Sequence, residues 1–145
     1  VETLLTEAIQ NGESYGGAAE ILVQSPPPNL GQPVFHKLKA DLAAAIMSVG
    51  ATTGVEIGSG ANSSSQAGTN FHEQMQSPHY GGIRGGISTG EDISLRAYFK
   101  PTSSIKDVAK KGRHDPCIVP RAIPVLEGMV WLVIADHLLW IRKDR

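Results

Sequence analysis

Apolar and polar positions alternate strictly from Ile93 to Phe99. Ile93, Leu95, Ala97 and Phe99 fall on one side, Ser94, Arg96 and Tyr98 on the other. A period of two predicts a strand with one dry and one polar face. With the preceding "GGIRGGISTGED" the pattern predicts a hairpin that turns at Ser88 to Glu91. Elsewhere the spacing is helical. Val1, Leu4, Leu5, Ala8 and Ile9 predict a first helix that stops at Asn11-Gly12. Val34, Leu38, Leu42, Ala45, Ile46 and Val49 predict a second, opened by Pro33 and ended by Gly50. Gly17 to Gln24 reads as a strand broken by "SPPP", because proline cannot donate to a ladder. "TGVEIGSG" reads as another strand, running into a Gly, Ser and Asn-rich loop, Ser59 to Asn70, either mobile or folded around a ligand. From about Ala122 to Arg142 the chain is apolar nearly all round and ends on Arg142, Lys143 and Arg145, which suits a helix C-terminus lying between two layers. This order of elements predicts an α+β layered domain, one domain over residues 1–145.

Composition narrows this picture. The 145 residues are 41% apolar and 19% charged, enough for a real core. A net charge of -1 argues against a general nucleic-acid or membrane-surface binder. The single cysteine, Cys117, excludes an internal disulfide and a cysteine-rich metal site, and fits a reducing cytoplasm. The first residues carry no secretory signal pattern. Val125 to Ile141 is the strongest membrane candidate, but Glu127, Asp136 and His137 interrupt it, so a soluble protein is expected. A start on Val rather than Met suggests a piece of a longer chain.

Charge is local. From Lys100 to Arg121 six Lys or Arg face only Asp107 and Asp115, so this segment could receive an anion. "FKPTSS" sets Lys100, Pro101, Thr102, Ser103 and Ser104 directly after a strand. An ammonium, hydroxyls and freed N–H groups in one turn can hold a phosphate, and a plain polar turn is the competing reading. Gly81-Gly82 and Gly85-Gly86 allow either tight hairpin geometry or close approach to a flat ligand. "KGRHDPC" offers Arg113 as a rigid fork, His114 as a titrating group, and Asp115 as a base or as an anchor for Arg113. Glu127, inside the apolar helix, would need Arg121 or Arg142 as a partner if buried. His36, His72, His79 and His137 lack metal-like spacing and read as surface or capping residues.

These motifs together resemble a known family. "GQPVFHKL", "AAAIMSVGATTGVEIGSG", "GGIRGGISTG", "FKPTSS", "KGRHDPC" and "PRAIPVLEGM" with "ADHLL" are similar to the carboxy-terminal half of chorismate synthase. The resemblance implies a β-α-β sandwich of antiparallel strands on a central apolar helix, and a cytoplasmic homotetramer. It implies a lyase of the shikimate pathway that turns 5-enolpyruvylshikimate 3-phosphate into chorismate and phosphate by 1,4-anti elimination, requiring reduced FMN without net redox change. By motif, the flavin contacts would be Gly50, Ala51, Gly85, Lys100, Pro101, Thr102, Ser103, Ser104 and Arg113, and Asp115 would manage a proton at the flavin ring.

Departures accompany the likeness. The family's amino-terminal half, with its histidines and most substrate-binding arginines, has no counterpart, so no turnover is expected from this chain alone. The loop between Ile105 and Lys111 is short, and His36, Pro78 and Arg84 stand where Asp, Asn and an apolar residue are usual. A silent flavin-binding or assembly module is the alternative. A nucleic-acid binder using the Lys100 to Arg121 patch fits less well, because few aromatics flank it.

Overall fold

The computed structural model describes residues 2–72, 78–106 and 115–143. Arg113 and His114 lie outside the described residues.

The chain opens with α1, Glu2–Asn11, which stops where Gly12 takes φ +65°, the left-handed position that glycine reaches without strain. Strand β1, Gly17–Val23, follows, then a proline-rich turn, then α2, Leu38–Met47, and β2, Thr52–Ile57. The next segment holds a 3₁₀ turn over Gly60–Ser65, the short helix α3 over Gly68–His72 and a second 3₁₀ turn over Pro78–Tyr80. Two-residue strands β3, Ile83–Arg84, and β4, Ile87–Ser88, precede β5, Ile93–Phe99. The long helix α4, Val119–Lys143, closes the described chain.

The layered α+β arrangement expected from the element order is present. Strands β1, β5 and β2 form an antiparallel sheet in that order, with Ile21 opposite Leu95 and Val55 opposite Ala97. Alternation in β5 sends Ile93, Leu95, Ala97 and Phe99 inward. There they meet Leu38, Leu42 and Ile46 of α2 and Leu126, Val130 and Ile134 of α4. Full burial of side chains such as Leu42 and Leu126 contributes about 1.5–3 kcal/mol each. On the outer face Arg96 lies opposite both Glu20 and Glu56, pairing with Glu20 and lying 4.0 Å from Glu56.

Several expectations are corrected. Helix α2 begins at Leu38, not Pro33. Val34 takes φ +68° and is exposed, and the Gly86 carbonyl captures the Leu38 N–H at 2.8 Å, so the helix cannot extend backwards. The hairpin is also different: β3 pairs with β4 and the chain turns at Gly85-Gly86, both at positive φ. Ser88 belongs to β4, and β5 pairs with β1 and β2 instead. The Ser59 to Asn70 loop is folded on its own side chains. Ser63, Ser64 and Ser65 donate to the carbonyls three residues back, and Glu56 accepts the Ala61 N–H at 3.0 Å.

Helix α4 does not lie between two layers in this chain. Its inner row (Ala122, Leu126, Val130, Ile134, His137) is buried, whereas Ile123, Trp131, Leu132 and Leu139 are exposed. By length and composition it is apolar enough to cross a membrane, against the expectation drawn from its charged residues. Packing of the inner row on the sheet and α2 is that of a core helix. Glu127 is exposed, so it carries no burial cost. His137 is not a surface residue: it is 1% exposed, packed between α4 and α2.

Candidate functional site

Strand β5 runs straight into the Lys100–Ser104 turn. At its entry the Lys100 N–H donates to the carbonyl of Ala51 at 3.0 Å. Ala51 follows α2 and holds φ +69° without being glycine, an uncommon conformation that here aims its carbonyl at the turn. Ala51, the neighbour of Gly50, is thus bonded to the beginning of "KPTSS".

Two residues on, the Thr102 hydroxyl donates to the Asp115 carbonyl at 2.8 Å. Three stretches far apart in sequence, 50–51, 100–104 and 115, therefore meet. With its proton committed to Asp115, the Thr102 hydroxyl holds the wall of the site. Donors for an anion would be the exposed Lys100 ammonium, the exposed Ser103 hydroxyl and backbone N–H groups.

Asp115 is half-buried, and its Oδ2 lies 2.9 Å from Nη1 of Arg121, on the first turn of α4. The sequence offers Arg121, with Arg142, only as a candidate partner for Glu127; its pairing with Asp115 was missed. The only sequence signal was that both residues flank the short "PCIVP" approach to the helix, close enough for a long guanidinium to fold back. With Arg113 outside the described residues, Arg121 is the cation seen at this carboxylate.

Gly85 is not beside these groups. The β3–β4 hairpin is tied to the N-terminal end of α2 by the Leu38 to Gly86 hydrogen bond, whereas Ala51 follows the other end. Ten residues of helix separate the two, a span of about 15 Å. The expected contacts thus form one cluster around Lys100 and a second point at the hairpin.

The residues suit a flat, phosphorylated ligand. A Cβ added at Gly50 or at Gly85 would meet nothing within 4 Å, so both expose backbone to open space. Gly128 of α4 is equally open, whereas Gly58 would bring a Cβ to 2.3 Å from the His79 carbonyl. An open groove beside α4, about 360 Å³ between β1 and that helix, is lined by residues that include Ile21, Leu22, Ile123, Leu126 and Trp131. None of the expected site residues lines it.

The histidines take other positions. His79 bonds Ser59 through Nδ1 at 2.6 Å, His72 bonds the Tyr80 hydroxyl, and His36 lies 3.4 Å from Asp41. Arg84, one of the departures, sits over the Tyr80 ring at 4.4 Å, a cation–π contact that braces the hairpin from outside.

Comparison with known proteins identifies the family and the fold. The chorismate synthase family model matches residues 1–139. The chorismate synthase of Bdellovibrio bacteriovorus is 68% identical over 145 residues, covering 100% of this chain and 42% of that protein. That of Synechococcus sp. strain WH7803 is 47% identical over 157 residues, 92% of this chain and 43% of its own. A crystal structure of chorismate synthase superposes with a TM-score of 0.82 at 31% identity, over 95% of this chain and 41% of that one. The chain spans about two fifths of the length of the relatives it matches, and it belongs to the chorismate synthase family.

Proposed function

We propose that residues 1–145 form one domain that supplies the flavin-binding and proton-handling side of a chorismate synthase. The reaction is 1,4-anti elimination of phosphate from 5-enolpyruvylshikimate 3-phosphate. A C–O bond to phosphate and a ring C–H bond break, a new C=C forms, the phosphate leaves with its electron pair, and the proton passes to a base. When bound, reduced FMN would supply transient electron density to the allylic system as phosphate departs.

This chain's residues would do the rest. Lys100, Ser103 and Ser104 would neutralise and orient an anionic group, and Arg113 would add a bidentate fork. Gly50, Ala51 and Pro101 would let one part of the cofactor approach backbone closely, and Gly85, at the hairpin, a separate part. Asp115, held by Arg121 at 2.9 Å, would hold or move a proton. The observation that carries the reading is the joining of Ala51 to Lys100 and of Thr102 to Asp115 by two hydrogen bonds, among residues independently singled out by motif. A cytoplasmic homotetramer belongs to the same reading and rests on the family likeness.

The chain by itself is expected to show no turnover, since its relatives are more than twice as long. A chimera tests both parts: these 145 residues replace the matching segment of the Bdellovibrio enzyme. Phosphate release by the chimera with reduced FMN, and none by the isolated chain, is the expected result. FMN binding without turnover in the chimera would favour a silent flavin-binding module instead.

A further inference from the structure

We infer that Gly12–Gly16 is a strap that sets the Lys100–Ser104 turn in its anion-receiving shape, with Ser14 as the positioning residue. The inference rests on the function proposed above and adds a residue that the family motifs quoted earlier do not include.

After α1 ends, the strap runs along the turn and bonds it at several points. The Gly12 carbonyl accepts the Lys106 N–H at 2.7 Å, and the Tyr15 N–H donates to the Pro116 carbonyl at 2.8 Å. Between them the Ser14 hydroxyl donates to the Thr102 carbonyl at 2.7 Å. One short segment thereby grips the turn, its far end and the residue after Asp115. Gly16 lets the strap lie flush, since a Cβ there would stand 2.3 Å from the Phe99 carbonyl oxygen. Ser14 is only 8% exposed, so its hydroxyl is committed to this contact rather than to water.

The consequence for the site comes from peptide geometry. The Thr102 carbonyl and the Ser103 N–H belong to one planar trans unit and point to opposite sides. With the carbonyl drawn inward to Ser14, the Ser103 N–H is aimed away from the strap, in a turn whose Lys100 and Ser103 are exposed. A freed Thr102 carbonyl could rotate outward and present oxygen where an anion needs a donor. Ser14 therefore acts on the sign of the dipole offered to ligand as well as on stability.

The test compares the parent chimera with its Ser14→Ala and Ser14→Thr variants by titrating FMN, riboflavin and the phosphorylated substrate. Loss of a buried hydrogen bond predicts about tenfold weaker binding of a phosphorylated ligand by the alanine variant. Threonine, which keeps the hydroxyl, should restore it. Loss of FMN but not riboflavin identifies the bound group as the FMN phosphate. Loss of substrate with FMN unchanged identifies the substrate phosphate. Equal affinities in parent and alanine variant overturn the inference, as does an equal loss of FMN and riboflavin, which would mark general loosening. If the parent binds none of the three, the proposed function fails separately. Amide hydrogen exchange in the 145-residue chain then decides the strap: faster exchange confined to Thr102–Lys106 in the alanine variant supports it, and unchanged exchange refutes it.

Discussion

His137 of α4 donates from Nε2 to Oδ2 of Asp41 on α2 at 3.0 Å, and this one bond ties the two core helices together from inside. His137 is 1% exposed, and its Nδ1 has no hydrogen-bond partner among the described residues. The Asp41 carboxylate also faces His36, and the Trp140 ring packs edge-on against both imidazoles. Replacing His137 by alanine removes a buried side chain and its hydrogen bond, and is expected to cost about 2–4 kcal/mol. His137→Phe, which keeps a ring in the site but loses the bond, should cost about half as much. Denaturant unfolding of both variants measures the two values, and a negligible loss in His137→Phe would mean that the bond to Asp41 contributes nothing.

Asp115 separates two roles. If it handles a proton, Asp115→Asn in the chimera should leave FMN affinity nearly intact and lower single-turnover rate by about 10² to 10⁴, the usual contribution of a positioned acid or base. If it serves only to hold Arg121, near-normal turnover at saturating FMN and a large loss of affinity are expected. Arg121→Met provides the control: it breaks the 2.9 Å pair while leaving the carboxylate in place.

Gly85 and Gly58 share a positive φ, +61° and +59°, but differ in their surroundings. At Gly85 a methyl group meets only open space, so Gly85→Ala should cost about 1–2 kcal/mol for the left-handed backbone and little more. At Gly58 the same methyl group strikes the backbone of His79 and Gly81, and a larger loss is expected. Flavin titration should show the reverse order for the folded variants, with Gly85→Ala weakening FMN binding and Gly58→Ala sparing it.

Glu56 predicts an acid-side response. Its carboxyl is held below its ordinary value of 4.5, first by the Tyr98 hydroxyl at 2.6 Å and then by the Ala61 N–H; partial burial opposes them, and the nearby Arg96 charge adds a smaller favourable effect. A depressed folded value means that this stabilisation is fully present above the unfolded value and is lost as pH falls through the folded one. Protection of the Ala61 amide, its exchange rate relative to the intrinsic rate at the same pH, should therefore fall only below pH 4.5. Tyr98→Phe removes the main cause and should move the onset upward toward 4.5.

What the sequence determined by itself was local. Strict alternation from Ile93 to Phe99 set which side of β5 is dry, because side chains on a strand alternate whatever its partners. The Asn11-Gly12 stop and the apolar spacing of the last helix were likewise legible from neighbouring residues, and the "KGRHDPC" and "FKPTSS" runs pointed to the family. Choices between distant partners were not legible. Strand β5 could have paired with the adjacent Gly81 to Ile87 stretch, and it was the fit of β1 and β2 on either side that left β3 and β4 to form their own small hairpin. Helix α2 starts at Leu38 because a carbonyl from residue 86 takes its N–H. The same holds for the site. Arg121 found Asp115 rather than Glu127, and His137 was buried against Asp41, because a side chain's partner depends on which elements pack together in space, and spacing along one element does not carry that information.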